Sequence, residues 1–147
     1  MPNRLGSERG AAIIEVALTM PLLLLVAVGI FEFGRAYQTS QVLTNAAREG
    51  ARVAVLPNQA ADAAESRVRT YLQQGGLVND TSVGVAISSV QLSMGAAGNA
   101  SGSRVTVTYP FTFIVLQPVA QLVVAGSMTG APITLTARAE MRNETQF

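Results

Sequence analysis

The chain has no cysteine, histidine or tryptophan, and all ten of its basic residues are arginines. These absences remove whole classes of chemistry. Neither a Ser-His-Asp nor a Cys-His nucleophile can be built. There is no lysine for a Schiff base or a phosphate-binding loop, and no imidazole or thiolate for zinc. Carboxylate pairs for acid/base work or magnesium remain possible in principle, but no catalytic, cofactor-binding or metal-ligating residues are singled out. The expectation is a protein that is not an enzyme and takes no cofactor, metal or small-molecule substrate. Without cysteine no disulfide staples the fold, and the redox compartment cannot be read. Charge is also scarce, at 13% of residues with a net +1, so no basic face is available and nucleic acid is not an expected partner. An apolar share of 49% excludes a mainly disordered chain, and 147 residues suit one domain of ordinary size.

The apolar residues are concentrated near the start. After the polar stretch MPNRLGSERG, the sixteen residues from Val16 to Phe31 carry no charge, and counting from Ala11 gives twenty-one interrupted only by Glu15. At ~1.5 Å per residue this run is ~31 Å long as a helix, enough to cross a bilayer core and bind its lipid. Pro21 is tolerated in such a span. A cleaved signal peptide would share the basic start (Arg4, Arg9) and the small residues Val26-Ala27-Val28-Gly29. Its apolar core would be shorter and would not contain Glu15, which favours an uncleaved anchor. Arginines flank the run almost evenly, Arg4 and Arg9 before it and Arg35 and Arg48 after it, so charge asymmetry does not set the orientation.

Glu15 is the costly residue. An ionised carboxylate at the centre of a membrane helix costs about 2.5–3.5 kcal/mol, less near an end. One reading has it snorkel to the headgroups; another gives it a positive partner. Cleavage between Gly10 and Ala11 would create that partner, a free α-amino group on Ala11. Positions one and five of the new chain then lie on one helix face.

The string Arg9-Gly10-Ala11-Ala12-Ile13-Ile14-Glu15 followed by the apolar run resembles a type IV prepilin cleavage site. More closely, Gly10 to Arg52 resembles the TadE-like proteins of the tight-adherence (Tad/Flp) pilus system, a type IVb system. The matching pieces are GAAIIEVALTMPLLLLVAVGIFEFGR and NAAREGAR, with Glu15, Pro21, Glu32, Gly34 and Arg48 to Arg52 in the family's positions. Val16 stands where this pilin class usually has an aromatic residue. The resemblance implies a minor pilin or pseudopilin, cut by a prepilin peptidase between Gly10 and Ala11, with Glu15 pairing the new amino terminus during assembly. It also implies other pilins, pseudopilins and the Tad inner-membrane assembly platform as partners, and an inner-membrane location with the carboxyl-terminal part outside. The expected organisation is a leader over 1–10, a transmembrane helix over 11–33 and an extracytoplasmic pilin-like domain over 34–147. A membrane-anchored envelope binding protein is the alternative function, and it would keep residues 1–10.

The helical period continues from Gln38 to Leu56, with Val42, Ala46, Gly50 and Val53 recurring at threes and fours. Arg48, Glu49 and Arg52 lie off that stripe, either as a solvated face or as subunit contacts that set register. Pro57 breaks the helix, and Asn58 is placed to cap a second helix over Gln59 to Gln73 that stops at Gly75-Gly76. Its stripe is Ala61, Ala64, Val68 and Leu72, and Glu65 faces Arg69.

The period then becomes two. Val83, Val85 and Ile87 alternate, and Val90 and Leu92 resume out of phase, which predicts a bulge at Ser88-Ser89. Ser93 to Ser103 reads as a small-residue loop. Val105 to Val115 and Ile133 to Met141 keep apolar residues on odd positions. The predicted fold is α+β: a long membrane-spanning helix running into a domain with a second helix and a three-stranded antiparallel sheet. One sheet face should be covered by the two helices. Phe111 to Met128 is interrupted by Gln117, Pro118 and Gln121, and so reads as a strand end and a short buried segment, not a second span. The three Asn-x-Ser/Thr matches, at Asn79, Asn99 and Asn143, are a loose pattern without default meaning. Glu140 and Glu144 would lie ~13 Å apart on a strand, as solvated rim charges.

Overall fold

The computed structural model describes residues 5–57, 60, 62–77, 82–95, 98–123, 125–126 and 128–143. Its elements are helices α1 (Leu5–Ala54), α2 (Ala63–Gln74) and α3 (Leu116–Val123), and strands β1 (Gly84–Ser93), β2 (Asn99–Phe111) and β3 (Ile133–Arg142). The long apolar helix, the second helix and the three-stranded antiparallel sheet are as the sequence predicts. By contact the chain divides into two compact units, one of Met1–Arg35 with Phe113–Gly130 and one of Ala36–Thr112 with Ala131–Phe147.

The first unit holds the apolar part of α1. Its side chains from Ile13 to Phe33 are largely exposed, the reverse of a soluble core helix. Among the described residues this is the one helix long and apolar enough to cross a membrane, and it is a candidate anchor. Pro21 sits inside α1. Two residues earlier, the Thr19 hydroxyl donates to the Glu15 carbonyl at 2.9 Å, so it leaves no bare donor on an apolar surface.

The second unit is a sheet of order β1-β2-β3 covered on one face. Leu43, Ala46, Ala47 and Ala51 of α1, Val68 and Leu72 of α2, and Val105, Val107 and Ala137 of the sheet form its core, with Val83 preceding β1. The odd residues from Ser103 to Phe111 of β2 and from Leu135 to Met141 of β3 are buried or half-buried as the alternation requires, while Ile133 at the start of β3 is exposed. Of the expected stripe, Ala46 and Gly50 are buried and Val42 packs against the core, while Val53 is half-buried; the covered face also takes in Leu43, Ala47 and Ala51, which are fully buried. Small side chains face the sheet because the helices approach it closely. At Gly50 an added Cβ would fall on Val68 Cγ2 and lie 3.3 Å from Val105 Cγ1.

α1 ends where Pro57 cannot extend it, with Val55 and Leu56 donating backward to Ala51 and Val53. α2 starts at Ala63, later than the expected Gln59, and Asp62 at its N-cap makes no side-chain cap bond; Asn58 and Ala61 lie outside the described residues. Ala64, Val68 and Leu72 are buried, and Gly76, at φ +77°, ends the helix while Leu77 N–H donates to the Leu72 carbonyl.

Three strand expectations need correction. Gly84↔Thr108 through Ser93↔Asn99 is an uninterrupted register, so there is no bulge at Ser88-Ser89. Val90 and Leu92 therefore lie on the outer face with Ser88 and Arg104, and the phase change marks a change of face. Ser93 to Ser103 is not a loop: β1 runs to Ser93 and β2 begins at Asn99. The hairpin turns on Gly95 and Gly98, both at positive φ, where the Met94 N–H donates to the Gly98 carbonyl. β2 ends at Phe111, and the chain then forms helix α3 in place of a buried segment, since Ile114 is 60% exposed and Met128 82%.

Candidate functional site

The amino-terminal site is built on one helical turn. Gly10, Ala11 and Glu15 all lie within α1 and are exposed. Residues 11 and 15 share a face by helical geometry. An added Cβ at Gly10 would meet nothing within 4 Å, and Gly10 has no positive φ. A helical glycine costs roughly 0.5–1 kcal/mol relative to alanine. Neither packing nor backbone conformation calls for a glycine here. Glu15 makes no side-chain pairing among the described residues.

A second carboxylate lies seventeen residues further along the same helix. Glu32 is fully buried. Its Oε1 accepts the backbone N–H groups of Ile114 at 2.8 Å and Val115 at 2.6 Å, and its Oε2 pairs with Arg35 Nη2 at 2.9 Å. Two backbone donors and a guanidinium from one helical turn on answer the desolvation cost of burying this charge. These two N–H groups lie just before α3, which begins at Leu116, so Glu32 fixes the backbone that leads into that helix. Sequence reasoning placed Glu32 in a family pattern but gave it no partner. The sole local signal was Arg35, three residues on.

Of the candidate subunit contacts, Glu49 accepts from Arg67 of α2 at 2.7 Å, joining the two helices within the chain. Arg48 and Arg52 are exposed. Glu65 and Arg69 pair at 2.8 Å as their spacing implies. Glu140 pairs with Arg104 across the outer face of the sheet at 2.6 Å; Glu144 lies outside the described residues. Among the described residues there is no group of three or more acidic, histidine or cysteine side chains that could hold a metal.

This arrangement defines a class: a protein with one candidate membrane anchor at its amino end, carrying carboxylates at both ends of its apolar run, and a small α+β unit beyond it. A model of the TadE-like protein family matches residues 10–52, and over that segment the chain is similar to the family. The match covers Gly10, Ala11, Glu15, Glu32 and Arg35, and extends through Arg52. No curated protein and no solved structure matched.

Proposed function

We propose that the protein is a minor pilin or pseudopilin of a Tad-type pilus, needed for pilus assembly and surface adherence. A prepilin peptidase cuts it between Gly10 and Ala11. The apolar part of α1 then packs with other pilins and pseudopilins, either at the inner-membrane assembly platform or in the filament, and the sheet unit lies outside the membrane. The observation that carries this reading is the TadE-like segment at residues 10–52 coinciding with an exposed apolar helix that bears a carboxylate at position fifteen.

In this role Glu15 receives the α-amino group of Ala11, within the subunit or from a neighbour. In an apolar bundle the amine and the carboxylate are each costly alone and answer each other when paired. Arg48 and Arg52 supply register at subunit contacts, since exposed pairs contribute under about 1 kcal/mol each.

Glu15→Gln tests the role. The variant keeps the shape of the side chain and loses its charge, so insertion and cleavage continue while an amine is left unpaired. Pilus yield and adherence are expected to collapse. Normal yield from cells carrying only the Gln variant would refute the pairing.

A further inference from the structure

The longest charge-free stretch in this chain is not the anchor. The thirty-three residues from Val105 to Ala137 contain no Asp, Glu, Lys or Arg, against sixteen from Val16 to Phe31. Within that stretch, Phe113–Gly130 groups with the apolar half of α1 and not with the sheet. The geometry points to a second membrane contact: Phe113–Gly130, tied to α1 at Glu32, seats α3 and its flanking apolar residues in the interfacial layer of the lipid surface that α1 crosses. This rests on the membrane-anchor reading of α1 and adds a lipid-binding surface to it.

Depth is set by the tether. From Ala11 the apolar run covers ~31 Å by helical rise and ends at Phe31, so Glu32 lies at headgroup level when the run fills the hydrocarbon. The bonds from Ile114 and Val115 to Glu32 hold the start of the segment at that level. Its other end closes on the same place: Gly130, at φ +74°, brings its backbone so near α3 that an added Cβ would be 2.7 Å from Gln117 N. Between these restraints Ile114, Val119 (43% exposed) and Met128 are exposed, as are Phe31 and Phe33 on α1 in the same unit.

Eight residues cannot span a bilayer. An apolar helix of that length, broken by Gln117, Pro118 and Gln121, suits the interface, where glutamines reach water and aliphatic side chains reach acyl chains. Glu32 removes the remaining obstacle, because it satisfies backbone donors at the start of the segment that would otherwise stay bare in a water-poor layer. With no charged side chain in the segment, the contact depends on apolar burial and not on anionic headgroups.

The absence of cysteine makes the test direct. Full-length protein carrying a single fluorophore at Leu24→Cys, Phe33→Cys, Ser88→Cys or Val119→Cys is reconstituted in phosphatidylcholine vesicles. It is then probed with brominated lipid and with aqueous iodide. Ser88 is the water control, on the outer sheet face beside Arg104. The Val119→Cys label should be quenched by brominated lipid about as well as Phe33→Cys, and several-fold more than Ser88→Cys. It should resist iodide, and adding anionic lipid should change nothing. Adding Glu32→Ala should cut lipid quenching at Val119→Cys and leave Leu24→Cys unchanged; an unaltered Val119→Cys signal would overturn the tether. A Val119→Cys label that behaves like Ser88→Cys overturns the proposal. So does one shielded from iodide yet untouched by brominated lipid, which would mean that a second copy or another protein covers α3. Loss of lipid quenching at Leu24→Cys as well would sink the anchor reading and this one with it, whereas loss at Val119→Cys alone sinks only this one.

Discussion

Gly50→Ala separates packing from helix propensity at a single position. In an exposed helix this change gains about 1 kcal/mol, because alanine restricts the unfolded chain and glycine does not. At Gly50 the new methyl would fall on Val68 Cγ2, 3.3 Å from Val105 Cγ1 and 3.6 Å from the Ala64 carbonyl oxygen. Val68 and Val105 are both fully buried, and a β-branched side chain has few rotamers into which to retreat. Overpacking of this kind costs about 1–3 kcal/mol. Set against the propensity gain, the net is a destabilisation of up to ~2 kcal/mol. For a unit of 60–100 residues that lowers Tm by about 4–8 °C per kcal/mol. The assay is a thermal melt of the full chain in mild detergent, followed by the near-ultraviolet signal of tyrosine. Tyr71 and Tyr109 pack against the core and Tyr37 is exposed, so loss of that signal reports the sheet unit and not the apolar helix. Gly34→Ala on the same helix is the control, since an added Cβ there meets nothing within 4 Å; it should be neutral or stabilising. Val68→Ala placed on top of Gly50→Ala should relieve the clash and cost less than the two changes summed. A Gly50→Ala protein that melts above the parent, as Gly34→Ala is free to do, would refute the close approach of α1, α2 and β2.

Other outcomes rest on the same contacts. Val107→Asp places an unpaired charge at a fully buried position and should cost more than about 3 kcal/mol. Thr106→Asp on the outer face should cost little, and equal tolerance of the two in the same melt would show that the sheet is not one-sided. Arg67→Ala removes the exposed pair with Glu49 and should lower stability by under about 1 kcal/mol; a larger loss would mean that the pair orients the helices. Glu65→Gln should behave likewise, because its pair with Arg69 is also exposed.

The parts of the fold that were legible are those with a strict period. Val105 to Phe111 and Ile133 to Met141 kept their phase because one face is covered, and Ala64, Val68 and Leu72 kept theirs for the same reason. The hairpin at Ser93 to Ser103 was hidden because residues such as Gly102 and Ser103 carry little apolar signal, yet they pair in register through their backbones. The bulge was inferred from Val90 and Leu92 on the assumption that apolar residues face the core; here they face outward. The covering face of α1 was legible at Val42, Ala46 and Gly50, but its width was not, because Leu43, Ala47 and Ala51 are buried beside them. Of the candidate site, the proposal for Gly10, Ala11 and Glu15 rests on local spacing that the sequence displays directly. The role of Glu32 could not, because its backbone donors lie 82 and 83 residues away.

The central claim is that this is a processed pilin and not a plain anchored protein, and intact mass spectrometry of the protein extracted from membranes tests it most directly. A mature chain beginning at Ala11, with Gly10→Leu retaining the full mass, is the predicted result. A membrane-extracted protein that still carries residues 1–10 while pili assemble normally would contradict it.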